Sequence, residues 1–191
     1  MNHKALREEV VRVSRRMSEA GLVVGTSGNV SARTPDGGFL VTPSGLHYAA
    51  MEPEDAVLLD LDGAVFEGSF EPSVEWPMHA GIYHARPETE GIVHTHVCYA
   101  TYGTEELARN FADALGGSHT SCLLANHGTI AVGASVGEAY SRTELLEEMA
   151  EIYYRASAAG EPATLSPAQI AEVAAKSQDY GQSKPSSSGT G

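Results

Sequence analysis

Cysteine is scarce in this chain: Cys98 and Cys122 are the only two in 191 residues, and they lack CxxC spacing. That excludes a disulfide framework and a cysteine-based zinc site, and leaves two buried, reduced thiols as the expectation. Basic residues are few as well, 12 Lys and Arg against 25 Asp and Glu, for a net charge of −13. Binding along a nucleic-acid backbone needs clustered Lys and Arg, so nucleic acid is not an expected partner. No apolar run approaches the roughly 20 residues that span a bilayer. The mixed charges of Met1 to Glu9 do not form the apolar core of a secretory leader. No membrane partner is expected, and a cytoplasmic location is. An apolar content of 42% with 19% charged residues is that of a globular protein. A single domain over residues 1–182 is the economical arrangement, and the polar segment 183–191 is expected to be a disordered tail.

What is present is a succession of short apolar segments and amphipathic helices. Leu6, Val10, Val13 and Met17 recur at helical spacing over residues 3–19. Residues 25–33 (GTSGNVSAR) form a turn of small residues running into a strand. Phe39 to Thr42 reads as a strand ended by Pro43-Ser44-Gly45, and residues 56–61 and 64–66 read as a hairpin around Asp62-Gly63. Ser73 fits the N-cap of a helix that reaches Arg86, with Glu75 in its first turn. Thr104 caps a further helix, and residues 121–125 and 129–132 are strands joined at Asn126-His127-Gly128. Ser135 to Glu138 is a capping box that opens a long helix with Leu145, Met149, Ile152 and Ala156 on one face; Ser166 caps the last helix. Tight turns between short strands point to a largely antiparallel sheet.

The chemistry concentrates in Gly91-Ile-Val-His-Thr-His-Val97. Its β-branched flanks read as a buried strand, and residues two apart on a strand share a face. His94 and His96 therefore offer adjacent imidazoles, and His127, at a turn, is a third candidate ligand. Three histidines without cysteine make the ligand set of a catalytic zinc site with an open fourth position. His79, one helical turn after Glu75, competes as a ligand; His3, His47, His84 and His119 read as surface residues. Glycines in residues 25–28, with Thr26, Ser27 and Asn29, let backbone amides and hydroxyls approach an anion.

Taken in order, GTSGNVSAR (25–33), TPSG (42–45), PSVEW (72–76), HTH (94–96), ANHG (125–128) and YG (180–181) closely resemble the class II aldolase family, on the branch that cleaves ketose phosphates of the L-fuculose 1-phosphate type. The resemblance implies a three-layer αβα fold with a mainly antiparallel central sheet. It also implies a homotetramer with active sites between subunits, and Zn2+ held by His94, His96 and His127. Glu75 falls on the family's acidic residue, which works near the metal and in proton transfer, and Tyr180 on a tyrosine at the aldehyde end. Thr26, Asn29, Ser44, Gly45 and Ser73 fall on positions that hold the substrate phosphate. The implied reaction cleaves a phosphorylated ketose to dihydroxyacetone phosphate and a hydroxyaldehyde through a metal-stabilised enediolate.

Two departures qualify the resemblance. Val74 stands where relatives carry a second serine. Between HTH and Thr104 the chain also lacks roughly a helix and a strand, including a tyrosine proton donor; Tyr99 and Tyr102 are nearby in sequence. The same metal site supports epimerisation, dehydration or decarboxylation, although Glu rather than Asp at position 75 leans away from the epimerase pattern. A non-catalytic scaffold resembling adducin heads is the alternative of another class.

Overall fold

The computed structural model describes residues 1–96, 119–124 and 127–177. The helix expected after Thr104, Cys98, Tyr99, Tyr102, Ala125, Asn126 and Tyr180 lie outside them. Two compact units divide the chain, Met1–Ala150 and Glu151–Gly191.

The first unit is built on seven strands: β1 (Asn29–Arg33), β2 (Phe39–Val41), β3 (Val57–Leu59), β4 (Val65–Glu67), β5 (Gly91–Thr95), β6 (Ser121–Leu124) and β7 (Gly128–Gly133). They form one sheet in the order β4-β3-β2-β1-β5-β7-β6, and every pairing is antiparallel. The segment with the two histidines thus becomes an interior strand, hydrogen-bonded on both edges and buried along its whole length.

Alternation along the strands supplies two cores. On one face Val30, Ala32, Leu40 and Val93 pack with Val10, Val13 and Met17 of α1 (Lys4–Glu19) and with Val136, Ala139 and Tyr140 of α3 (Val136–Ala159). On the other, Phe39, Val41, Ile92 and Ile130 pack with Met78, Ile82 and Tyr83 of α2 (Trp76–Ala85). The result is a three-layer αβα arrangement. Each fully buried aliphatic side chain contributes about 1.5–3 kcal/mol relative to exposure, so both helical layers are held to the sheet mainly by apolar burial. One charge is buried with them. Arg7 of α1 is fully enclosed, donates from Nε to the Asn2 carbonyl and from Nη1 to that of Ala56, and pairs with Glu67 at 3.2 Å.

Helix α2 begins at Trp76, with Glu75 in the N-cap position, two residues later than an N-cap at Ser73 requires. The preceding residues are held elsewhere: Pro72 bridges Pro43, and the Ser73 N–H donates to the Thr42 carbonyl at 3.0 Å. Helix α3 forms half of its expected capping box: the Glu138 N–H donates to Ser135 Oγ, but the Glu138 carboxylate accepts the Ala134 N–H, one residue before the cap. Its face of Leu145, Met149 and Ile152 is 52–58% exposed, however, and only its first two turns carry buried residues. In the second unit α4 (Pro167–Ser177) carries a full capping box between Ser166 and Gln169. Among the described residues no helix is long and apolar enough to cross a membrane.

Close approach of β5 to the start of α3 requires glycine at position 91, where an added Cβ would lie 2.4 Å from the Val136 nitrogen. Gly91→Ala is expected to destabilise the fold by about 1–3 kcal/mol through backbone overpacking. Gly137→Ala, on the same helix, whose added Cβ would make only ordinary contacts with the Glu9 and Ser135 side chains at 3.5 and 3.8 Å, is expected to be neutral or to stabilise by up to about 1 kcal/mol. Urea midpoints of the two variants against the wild type check both.

Candidate metal centre

Strand parity decides which side chains meet. Asn29 and Ser31 of β1, and Ile92 and His94 of β5, point to the α2 face, and Asn29 lies directly across from His94 in the β1–β5 register. His96 follows one residue beyond β5, on the same face as His94. The turn between β6 and β7 returns His127 alongside. Glu75, at the N-terminus of α2, closes the group from above the sheet. His94 Nε2 lies 2.7 Å from His96 Nε2 and 3.0 Å from His127 Nε2. The Glu75 carboxylate is 3.1–3.5 Å from all three imidazoles. One ligand atom from each of the four falls within 4.8 Å of the others, a group able to hold a metal ion.

The donor set fits a cation. His94 Nδ1 lies 2.7 Å from the Thr129 carbonyl oxygen, which can only accept, so Nδ1 carries the proton and Nε2 presents a lone pair to the centre. Four lone-pair atoms this close repel one another unless positive charge is shared among them. A tetrahedral ion with metal–nitrogen bonds of about 2.0–2.1 Å separates its ligand atoms by about 3.3 Å, a few tenths of an ångström wider than the two imidazole spacings here. Burial of Glu75 raises its carboxyl, but hydrogen bonds and charge from His94 and His96 outweigh it and hold the group well below the usual carboxylate range. The carboxylate is therefore ionised.

His79, a competing ligand on sequence, is not in this group. It is fully buried and its two nitrogens face Asn29 Oδ1 at 2.5 Å and Ser31 Oγ at 2.6 Å. Burial, then His94, pushes its pKa down to about 3, so the ring is neutral. Asn29 Nδ2 donates to Glu75 at 2.6 Å, and Ser31 Oγ meets Tyr83 OH at 2.8 Å. Asn29 thus bridges Glu75 and His79 from a buried position. The sequence signals for this set were the two-residue spacing of Asn29 and Ser31 and the four-residue spacings of Glu75, His79 and Tyr83.

The segments expected to hold phosphate are laced together. The Thr42 N–H donates to the Val30 carbonyl, the Ser44 N–H to that of Glu71, and the Ser73 N–H to that of Thr42. Tyr48, which sequence reasoning missed, donates to the carbonyls of Ser27 and Gly28 and braces the first turn. Thr26 is half-buried, Ser44 and Gly45 are exposed, and Ser73 is buried with its Oγ accepting the Glu75 N–H. Gly45 takes a left-handed φ of 69°. Val74 is 64% exposed.

The family model for the class II aldolase and adducin N-terminal domain matches residues 8–102 and 97–154. The chain belongs to the class II aldolase family. A 5-deoxy-D-ribulose 1-phosphate aldolase of Bacillus thuringiensis serovar kurstaki is 35% identical, with 92% of this chain and 97% of the relative covered. An L-fuculose phosphate aldolase of Haemophilus influenzae is 32% identical over 95% of this chain and 97% of the relative. The solved structure of an L-fuculose 1-phosphate aldolase superposes with a TM-score of 0.85 at 31% identity, covering 93% of this chain and 98% of that one. The enzyme class is that of the metal-dependent aldehyde-lyases. The two family matches overlap at residues 97–102, where the sequence jumps from HTH toward Thr104. The Bacillus alignment runs over 206 positions although the aligned part of this chain is about 176 residues, so about 30 positions of the alignment have no residue here.

Acidification is expected to destabilise the chelator-treated protein. His79 takes up its proton near pH 6.5 when unfolded but only near 3 when folded. Its contribution to stability is therefore complete above about pH 6.5 and falls by about 1.4 kcal/mol per pH unit below it. That of Glu75, with its lowered folded pKa, is present above pH 4.5 and lost further down. Urea midpoints at pH 7, 5.5 and 4.5 should fall in that order, and His79→Gln should flatten the upper part of the slope.

Proposed function

We propose that this aldolase cleaves a ketose 1-phosphate between C3 and C4 to give dihydroxyacetone phosphate and an aldehyde, with Zn2+ as its metal. The observation that carries the reading is the convergence of His94, His96, His127 and Glu75 within 4.8 Å. A three-imidazole set suits zinc, as it does other late first-row ions. When bound, the metal supplies Lewis acidity for the negative charge that develops at the ketose oxygens. Thr26, Asn29, Ser44, Gly45 and Ser73 hold the phosphate through hydroxyls and backbone N–H groups, which places C3 over the metal centre. Glu75 moves the proton: as the C3–C4 bond breaks, the proton of the C4 hydroxyl passes to the Glu75 carboxylate, the aldehyde leaves, and Glu75 returns that proton to C3. No redox change accompanies the step. Tyr180 acts at the aldehyde end.

L-Fuculose 1-phosphate is one candidate substrate. A 5-deoxypentulose 1-phosphate is a second, favoured by the 35% identity to the Bacillus enzyme. Both yield the same phosphate fragment, so the aldehyde released tells them apart. Residues 1–182 serve as a single catalytic domain of a cytoplasmic homotetramer; the exposed apolar face of Leu145, Met149 and Ile152 on α3 supports the association of chains.

Protein purified without chelator is expected to hold about one zinc per chain, lost in the His94→Ala/His96→Ala double variant, and to release dihydroxyacetone phosphate from one of the two substrates. Absence of metal after reconstitution would overturn the reading. Val74→Ser, which adds a hydroxyl donor beside the phosphate loops, is expected to lower KM for the phosphorylated ketose about fivefold, as one net hydrogen bond of about 1 kcal/mol allows, with kcat little changed; initial-rate kinetics on both proteins check this.

A further inference from the structure

We infer that His79 is a positioning residue: acting through Asn29, it fixes the orientation of the Glu75 carboxylate at the metal centre. The inference rests on the reading of Glu75 as the carboxylate that faces the metal.

The hydrogen-bond chain from Glu75 to Tyr83 has only one consistent polarity. Asn29 Nδ2 donates to Glu75 Oε2 at 2.6 Å. Asn29 Oδ1 is thereby turned to His79 at 2.5 Å, and because it too only accepts, His79 Nε2 must carry the proton. A neutral imidazole then has a bare Nδ1, which accepts the Ser31 hydroxyl proton at 2.6 Å. Ser31 has no second proton to give, so Tyr83 donates its own to Ser31 Oγ at 2.8 Å. Ser31, His79, Asn29 and Tyr83 are all buried.

Rotating the Asn29 carboxamide by half a turn would place Oδ1 against Glu75 Oε2 and an N–H against the His79 N–H. The first contact would be repulsive, and the second would be relieved only if His79 changed tautomer and the Ser31 and Tyr83 hydroxyls reversed with it. Without His79, only one contact would hold the amide in its present sense. A carboxamide in the middle of the chain does not pass a proton along it, so the chain orients Glu75 rather than feeding it protons. Asn29 and Ser31 share one face of β1, and His79 and Tyr83 sit one turn apart on α2, so the chain also ties the helix that bears Glu75 to the strand beside His94.

The test uses the full chain with Co2+ as the metal probe. Two-bond proton–nitrogen spectra of the metal-free protein, with histidine labelled in its ring nitrogens, are expected to show His79 as the Nε2–H tautomer. His79→Leu is expected to weaken Co2+ binding about tenfold or more, the usual size for loss of a ligand's supporting hydrogen bonds, and to alter the visible cobalt spectrum. His79→Gln, whose amide N–H can stand where Nε2–H stands, should recover most of the affinity and the spectrum. Ser31→Ala should give mixed His79 tautomers with a smaller loss, and serves if His79→Leu does not fold. An Nδ1–H tautomer or an imidazolium in the wild type would overturn the inference. So would a folded His79→Leu protein with wild-type cobalt affinity and spectrum, or a His79→Gln no better than His79→Leu. A wild type that takes up no metal would instead count against the proposed function, and the tautomer read on the metal-free protein would then decide the inference by itself.

Discussion

His94 gives its Nδ1 proton to the carbonyl oxygen of Thr129 on the neighbouring strand, and the chemistry of the centre depends on that bond. It commits Nε2 to presenting a lone pair toward His96, His127 and Glu75. The bond is available because β5 lies between β1 and β7, with His94 set opposite Ile130 and Thr95 opposite Thr129. A strand at the edge of the sheet would expose the imidazole to water and leave its tautomer free. The interior placement brings Asn29 in from one side and the β7 turn in from the other, so one pair of strand registers assembles most of the site.

Glu75 is held against the preferences of its own surroundings. A carboxylate this buried costs free energy unless it is paired and hydrogen-bonded. It receives Asn29 Nδ2 at 2.6 Å and lies within 3.5 Å of three imidazoles. Its place at the N-cap of α2 follows from the stitching of Ser73 to Thr42 and of Pro72 to Pro43, which keeps residues 72–74 out of the helix. The Tyr48 hydroxyl ties in the first glycine turn through the carbonyls of Ser27 and Gly28. Metal group and candidate phosphate loops are therefore parts of one hydrogen-bonded frame, which suits a reaction whose barrier is lowered by orienting a substrate and stabilising a charge.

Val74 is 64% exposed beside the candidate phosphate loops. The break between His96 and Thr104 falls just after the second histidine, so β5 and its pairings with β1 and β7 are complete. The metal group survives because its members come from strand ends and turns that the break does not touch.

Periodicity in the sequence determined α1, the strands and hairpins, and the helix starts at Ser135 and Ser166, because these follow from local apolar spacing and capping chemistry. It also determined that His94 and His96 share a face, since strand alternation is a local rule, and six motifs in order pointed to the family. Tertiary structure alone decided that His79 belongs to a buried chain behind Glu75 rather than to the metal group, that Arg7 is enclosed, that α2 starts after Glu75, and that the Leu145 face of α3 is exposed. Each of these depends on contacts between segments far apart in sequence, and no local spacing encodes which strand lies beside which.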